Sequence, residues 1–130
     1  GDYIANQVIK MMNKKGVLVK DAKILILGIT FKENCPDIRN TKVIDIYSTL
    51  SEYTPNITVY DPWANASLVE KEYGIHIIDT IPDQDKFNAI VLAVGHKEFS
   101  NYNWKALLQD NGVIYDVKGF LDKSMIDGRL

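Results

Sequence analysis

Lys23-Ile24-Leu25-Ile26-Leu27-Gly28-Ile29-Thr30-Phe31-Lys32-Glu33-Asn34-Cys35-Pro36-Asp37-Ile38-Arg39 decides the fold of this chain. Its first part, Lys23–Ile29, is a continuous apolar run and reads as a strand buried on both faces. Its second part is polar and leads to an amphipathic helix pattern near Thr41. There Thr41 or Asn40 can cap, and Val43, Ile46, Tyr47 and Leu50 share one face. Strand, loop and helix in this order build doubly wound sheets, whose ligands sit off the carboxyl end of a strand beside a helix N-terminus. The loop is not a dinucleotide fingerprint, because it offers Gly28 alone where G-x-G-x-x-G needs three glycines. It carries Phe31, Lys32 and Arg39 instead, an aromatic wall and two cations suited to a phosphorylated ligand.

Outward from this unit, the same alternation continues. Tyr3–Lys15 reads as a helix with Ile4, Val8, Met11 and Met12 on one stripe and Gly16 as its stop. Ile57–Tyr60 is a second strand, ending in Asp61-Pro62. Ala66–Tyr73 is helical with Gly74 behind it. Ile75–Ile78 is a short third strand, and Ile81–Lys86 has room for one turn. Phe87–Val94 reads as a continuous apolar strand and is expected near the sheet centre. A helix is expected within Glu98–Gln109, with Trp104, Leu107 and Leu108 inward, and Gly112–Tyr115 is a fifth strand. The pattern predicts a three-layer, doubly wound α/β domain of five or six mainly parallel strands. Right-handed crossovers place Thr30–Arg39, Asp61, Asp79, His96 and Lys118 on one edge.

At 130 residues the chain makes one domain with a sizeable core. Apolar residues make up 46% and charged residues 25%, the balance of an ordinary globular protein. A net charge of −2 gives no electrostatic case for nucleic acid or an anionic membrane. No apolar run approaches the ~20 residues of a membrane helix. The single cysteine, Cys35, cannot form an internal disulfide, which fits the cytoplasm.

Gly28-x-x-Phe31-Lys32 followed by Asp37-x-Arg39 resembles the C-terminal domain of the UDP-glucose/GDP-mannose dehydrogenase family. The string from Gly28 to Ile46 is most similar to the branch that oxidises UDP-N-acetylhexosamines at C6. Val59-Tyr60-Asp61-Pro62, Ala89–His96 and Asp116-Val117-Lys118-Gly119 extend the resemblance over essentially the whole chain. The resemblance implies a Rossmann-like domain that grips the substrate nucleotide inside an NAD-dependent enzyme. It implies that Phe31 and Lys32 contact the nucleotide-sugar, that Lys118 matches a basic residue with the same role, and that Arg39 reaches NAD held by another domain. It also implies that residues 1–18 lead in from a missing middle domain, that 19–130 form the UDP-binding domain, and that the full-length enzyme is a homodimer. The catalytic cysteine would belong to the missing middle domain, which leaves this fragment without activity of its own.

Each residue has a plainer reading. Phe31 alone would be core packing and Lys32 a solvated lysine. Arg39 could pair with Asp37 or Asp45. Cys35 has no evident base to make it a nucleophile and reads as a bystander thiol. Asp61 stands where a Rossmann domain keeps its ribose-binding acid, yet Asp-Pro also opens turns. His76 and His96 have no companion cysteines to suggest a metal site. A signalling receiver domain competes, with Asp79 as phosphoacceptor and Lys118 after strand five, but it lacks acidic residues after strand one to hold Mg²⁺. A stand-alone nucleotide- or CoA-binding module is the other alternative.

Overall fold

The computed structural model describes residues 1–81 and 85–130. Its elements are α1 (Asp2–Lys14), β1 (Ile24–Leu27), α2 (Val43–Ser51), β2 (Ile57–Tyr60), α3 (Ala66–Tyr73), β3 (Ile77–Ile78), β4 (Phe87–Leu92), β5 (Leu108–Asp116) and β6 (Gly128–Arg129). One sheet holds the strands in the order β3-β2-β1-β4-β5-β6, and every pairing is parallel. This is the order of dinucleotide-binding domains, and it puts the topological switch point between β1 and β4. β1 is apolar and buried throughout, and β4 is so apart from the half-buried Asn88, as parallel strands covered on both faces must be.

Alternate strand residues feed two cores. Ile24, Ile26, Val59, Ala89, Val91 and Val113 face α1, α2 and α3, whose Val8, Met12, Ile46, Leu50 and Val69 complete that side. Leu25, Leu27, Ile90, Leu92 and Ile114 face the other way, onto Phe99, Trp104 and Leu107. Three of the expected helices appear, Ala66–Tyr73 with the bounds expected and the other two shifted by a residue or two. Gly74 closes α3 in the left-handed conformation, and the side chain of Asn65 caps its start. Thr41 does serve the start of α2: its hydroxyl accepts the Val43 N–H at 3.2 Å.

The helix expected within Glu98–Gln109 is not there. Lys97–Asn101 and Trp104–Leu107 are separate 3₁₀ turns, and Leu108 already belongs to β5. The interruption at Tyr102 has a packing cause. The Trp104 indole N–H donates to the Phe99 carbonyl at 2.9 Å, and Tyr102 stacks on Trp104 at 4.7 Å. A buried indole donor needs such a partner, and the fold over Phe99 that supplies it is incompatible with a continuous helix. The third layer is therefore aromatic and turn-built. The turn expected over Ile81–Lys86 falls on 82–84, which lie outside the described residues. Among the described residues no helix is long and apolar enough to cross a membrane.

The strand order also decides between the competing readings. β3 is an edge strand, so Asp79 stands four strands away from β5, which carries Lys118 at its end. A receiver domain orders its strands 2-1-3-4-5 and keeps its third strand beside the first. The receiver alternative fails on topology.

Candidate functional site at the switch point

A cleft of about 340 Å³ opens at the carboxyl edge of β1 and β4. Thr30 and Phe31 from the loop after β1, and Ala93 and Val94 after β4, form two walls. Thr41, Lys42 and Val43 bring the N-terminus of α2 to it, and Val117 and Lys118 arrive from the end of β5. Ile4 of α1 and Ile46 of α2 deepen the apolar side. The loop enters this position because Gly28 takes φ +94. A Cβ at Gly28 would lie 2.5 Å from the Val94 Cβ, so the two segments approach closer than any side chain permits. The glycine thus serves the crossing of β1 and β4 ends and forms no phosphate cradle.

The loop's start is fixed by a buried polar hub. Asp61 ends β2 and is 4% exposed. Its Oδ2 accepts the N–H of Ile29 at 2.7 Å, that of Thr30 at 3.2 Å and His96 Nε2 at 3.0 Å. Its Oδ1 accepts the N–H groups of Trp63 at 2.7 Å and Ala64 at 3.0 Å. Burial alone would raise the carboxyl's pKa. The bond from His96 and the backbone donors of Ile29 and Trp63 outweigh burial and hold it below the usual carboxylate range. With both oxygens committed, Asp61 has no lone pair to offer a ribose, and the ribose-acid reading is set aside. His96 is fully buried between Trp63, at 6.0 Å, and Phe99, at 5.5 Å.

The sequence-predicted residues divide. Phe31 and Lys118 share the cleft. Phe31 is 55% exposed, so it is a wall and not core packing. Arg39 lies in a hollow next to it with Phe31, Asp37 and Asn40. Its guanidinium grips Asp37 with Nε at 3.0 Å and a terminal nitrogen at 3.1 Å, which selects Asp37 over Asp45 as its partner. That grip lowers the Asp37 pKa and raises that of Arg39. Lys32 is exposed on the same loop but does not line the cleft. Cys35 is half-buried, and His96, the base nearest to hand in the loop's own hydrogen-bond network, has both ring nitrogens engaged.

Sequence reasoning missed Lys42 and the role of His96. Lys42 is an exposed cation at the mouth, one residue before α2. Its only signal was its place in the helix's entry, the position where an anion also meets the helix dipole. Asp61 and His96 had been placed on the correct edge, yet nothing local announced their bond.

Strand order, switch-point cleft and loop define a Rossmann-type α/β domain. Residues 25–123 match the model of the UDP-glucose/GDP-mannose dehydrogenase family, UDP binding domain. The chain belongs to this family. The UDP-N-acetyl-D-glucosamine 6-dehydrogenase of Pseudomonas aeruginosa is 44% identical over 133 residues, covering 100% of this chain and 31% of that protein. Protein CapL of Staphylococcus aureus is 39% identical, covering 96% and 30%. The chain thus spans under a third of these relatives' length. The solved UDP-D-ManNAc dehydrogenase of Pyrococcus horikoshii superposes with a TM-score of 0.77 over 98% of this chain and 30% of that one, at 19% identity. That likeness is one of fold.

Proposed function

We propose that this domain holds the nucleotide of a UDP-sugar, of the UDP-N-acetylhexosamine class, within an NAD-dependent 6-dehydrogenase. The observation that carries the reading is the switch-point cleft itself, with an aromatic wall at Phe31, cations at Lys118 and Lys42, and the α2 N-terminus at its mouth. A planar base or sugar face suits Phe31, and diphosphate oxygens suit two flexible ammonium groups beside a helix N-terminus. Lys32, exposed at the loop's outer side, supplies a further cation to a ligand entering from solvent.

In this reading the whole enzyme converts the C6 primary alcohol to a carboxylate. Two hydrides leave the carbon, a thiohemiacetal and then a thioester form on a cysteine, and water releases the product UDP-uronic acid for surface polysaccharide. Two NAD⁺ molecules in succession would each take one hydride. The residues of this domain do not fit an NAD cradle, since Gly28 is pressed against Val94 and Asp61 is fully bonded. Cofactor and cysteine therefore belong to the dinucleotide-binding and middle domains of a longer protein, and Arg39 is the residue this domain extends toward the cofactor. A homodimeric, cytoplasmic enzyme completes the proposal.

Remote binding energy of this kind orients the reacting sugar carbon. Titrating UDP into the 130-residue chain by NMR tests it. One or two charged contacts of ~1.5–3 kcal/mol each must offset the ~4–15 kcal/mol of immobilising a ligand. The expected dissociation constant is about millimolar. Shifts should centre on Phe31, Val94 and Lys118, with weakening by Lys118→Ala, Lys32→Ala and added salt. Shifts confined to other surfaces refute the site, and NADH production by this chain refutes the division of labour.

A further inference from the structure

Two hydrogen bonds independently dictate the state of the buried His96 ring. The Asn34 N–H donates to Nδ1 at 2.9 Å, so Nδ1 carries a lone pair. Thr30 Oγ1 spends its one proton on the Lys32 carbonyl at 3.0 Å. Across its 3.1 Å contact with His96 Nε2 it must therefore accept. Nε2 then donates, to Thr30 Oγ1 and to Asp61 Oδ2 at 3.0 Å. Only neutral imidazole with its proton on Nε2 satisfies both sides.

We propose that His96, in this one tautomer, is the positioning residue of the ligand loop: its bare Nδ1 latches Asn34 and thereby sets where Phe31 stands. The loop needs such a latch. Phe31 is mostly exposed, and its N–H bond to the Asp37 carbonyl at 2.7 Å closes the loop on itself without tying it to the segment after β4. Asn34 turns the loop at φ 55, in the left-handed region that side chains adopt sparingly. Its two bonds both run to the segment after β4, the N–H to His96 and the Oδ1 from the Lys97 N–H at 2.9 Å. The base of the latch is immobile, because His96 is wedged between Trp63 and Phe99 and held by Asp61. The ring thus ties β1, β2 and the end of β4 to one loop amide. The effect on affinity rests on the nucleotide reading above; the latch itself does not.

The test separates the two ring nitrogens. His96→Asn sets an oxygen near the Nδ1 position and keeps the acceptor for Asn34. His96→Gln sets an amide N–H near the Nε2 position, keeping the donor to Asp61 and losing that acceptor. In ligand-free protein, the Asn34 amide should be protected from hydrogen exchange in wild type and His96→Asn, and unprotected in His96→Gln. UDP affinity should follow, nearly unchanged in His96→Asn and roughly fivefold weaker in His96→Gln, the worth of one neutral hydrogen bond. Equal effects of the two variants, or the reverse order, overturn the proposal and leave His96 as a partner of Asp61 alone. If neither variant folds, wild type decides. Ring ¹⁵N shifts should show Nδ1 pyridine-like and Nε2 pyrrole-like, with a protected Asn34 amide; a proton on Nδ1 or a fast-exchanging amide overturns it. Failure of wild type to bind UDP would sink the nucleotide reading and leave the exchange result to judge the latch.

Discussion

Asp61 and Asp37 each hold a side-chain nitrogen at 3.0 Å, one at the start of the ligand loop and one at its end. Both carboxyl groups are held below their ordinary pKa. The likeness ends at burial. Asp61 and His96 lie in a dry pocket where five donors converge on one carboxylate. Arg39 is 84% exposed at its side chain, so water and salt compete with every contact it makes to Asp37. One contact distance therefore marks two different devices. The buried pair is part of what folds the sheet edge. The exposed pair shapes a surface and can be given up when a ligand or another domain arrives.

The sharpest way to break this comparison is Asp61→Ala. It strands four backbone N–H groups in a buried site and leaves His96 Nε2–H with Thr30 Oγ1 alone. Each buried donor left without an acceptor costs ~1–3 kcal/mol, so the variant should lose a large share of the ~5–15 kcal/mol that holds a domain together. Urea unfolding checks it, and a loss under ~1 kcal/mol would mean that the donors find other partners. The acid limb sharpens it further. A carboxyl with a lowered folded pKa contributes stability that is present above its unfolded value of ~3.9 and is lost as pH falls through the folded one. Wild type should therefore lose stability below about pH 4. Asp37→Asn should follow nearly the same curve, since its pair stands in solvent; a clear loss of acid slope in that variant would move the weight of the edge to Asp37.

The two devices were not equally legible. Asp37-x-Arg39 lies within three residues, and its pairing could be named as an option from the sequence. The hub's contacts join residues 66, 62 and 35 positions apart, and no local pattern signals them. Only a parallel sheet in a particular strand order brings the ends of β1, β2 and β4 together. The strands themselves were legible because both faces are covered, which makes Ile24–Leu27 and Ala89–Leu92 uninterrupted apolar runs. The segment Glu98–Gln109 was misread because Trp104, Leu107 and Leu108 are spaced as on a helix while Trp104 takes its partner from Phe99. The two-residue β6 was too short to leave a pattern. At the cleft, a motif pointed to Lys32, and the geometry of the α2 entry adds Lys42.

A smaller effect is expected at Arg39. In the full-length enzyme Arg39→Ala should raise the KM for NAD, while UDP binding and thermal unfolding of this chain stay as in wild type. The pair's exposure motivates this: the guanidinium can turn from Asp37 toward a cofactor phosphate at little cost. An unchanged KM would make the Asp37–Arg39 pair a loop brace and nothing more.

The smallest effect is expected at Cys35, although a thiol in a ligand loop invites the opposite guess. A nucleophilic thiol needs a base within reach or a setting that stabilises thiolate. His96, the obvious base, accepts from Asn34 at one nitrogen and donates to Asp61 and Thr30 at the other, so it has no open position for a thiol. Arg39 is turned to Asp37. Serine nearly matches cysteine in size, and the half-buried site tolerates a hydroxyl. Cys35→Ser should therefore leave UDP binding by this chain unchanged and the activity of the full-length enzyme within a few fold. Steady-state kinetics with the UDP-sugar decides the point. A loss of several orders of magnitude would make Cys35 the covalent nucleophile and bring the reaction's chemistry into the domain that the comparison of Asp61 with Asp37 treats as a holder of nucleotide.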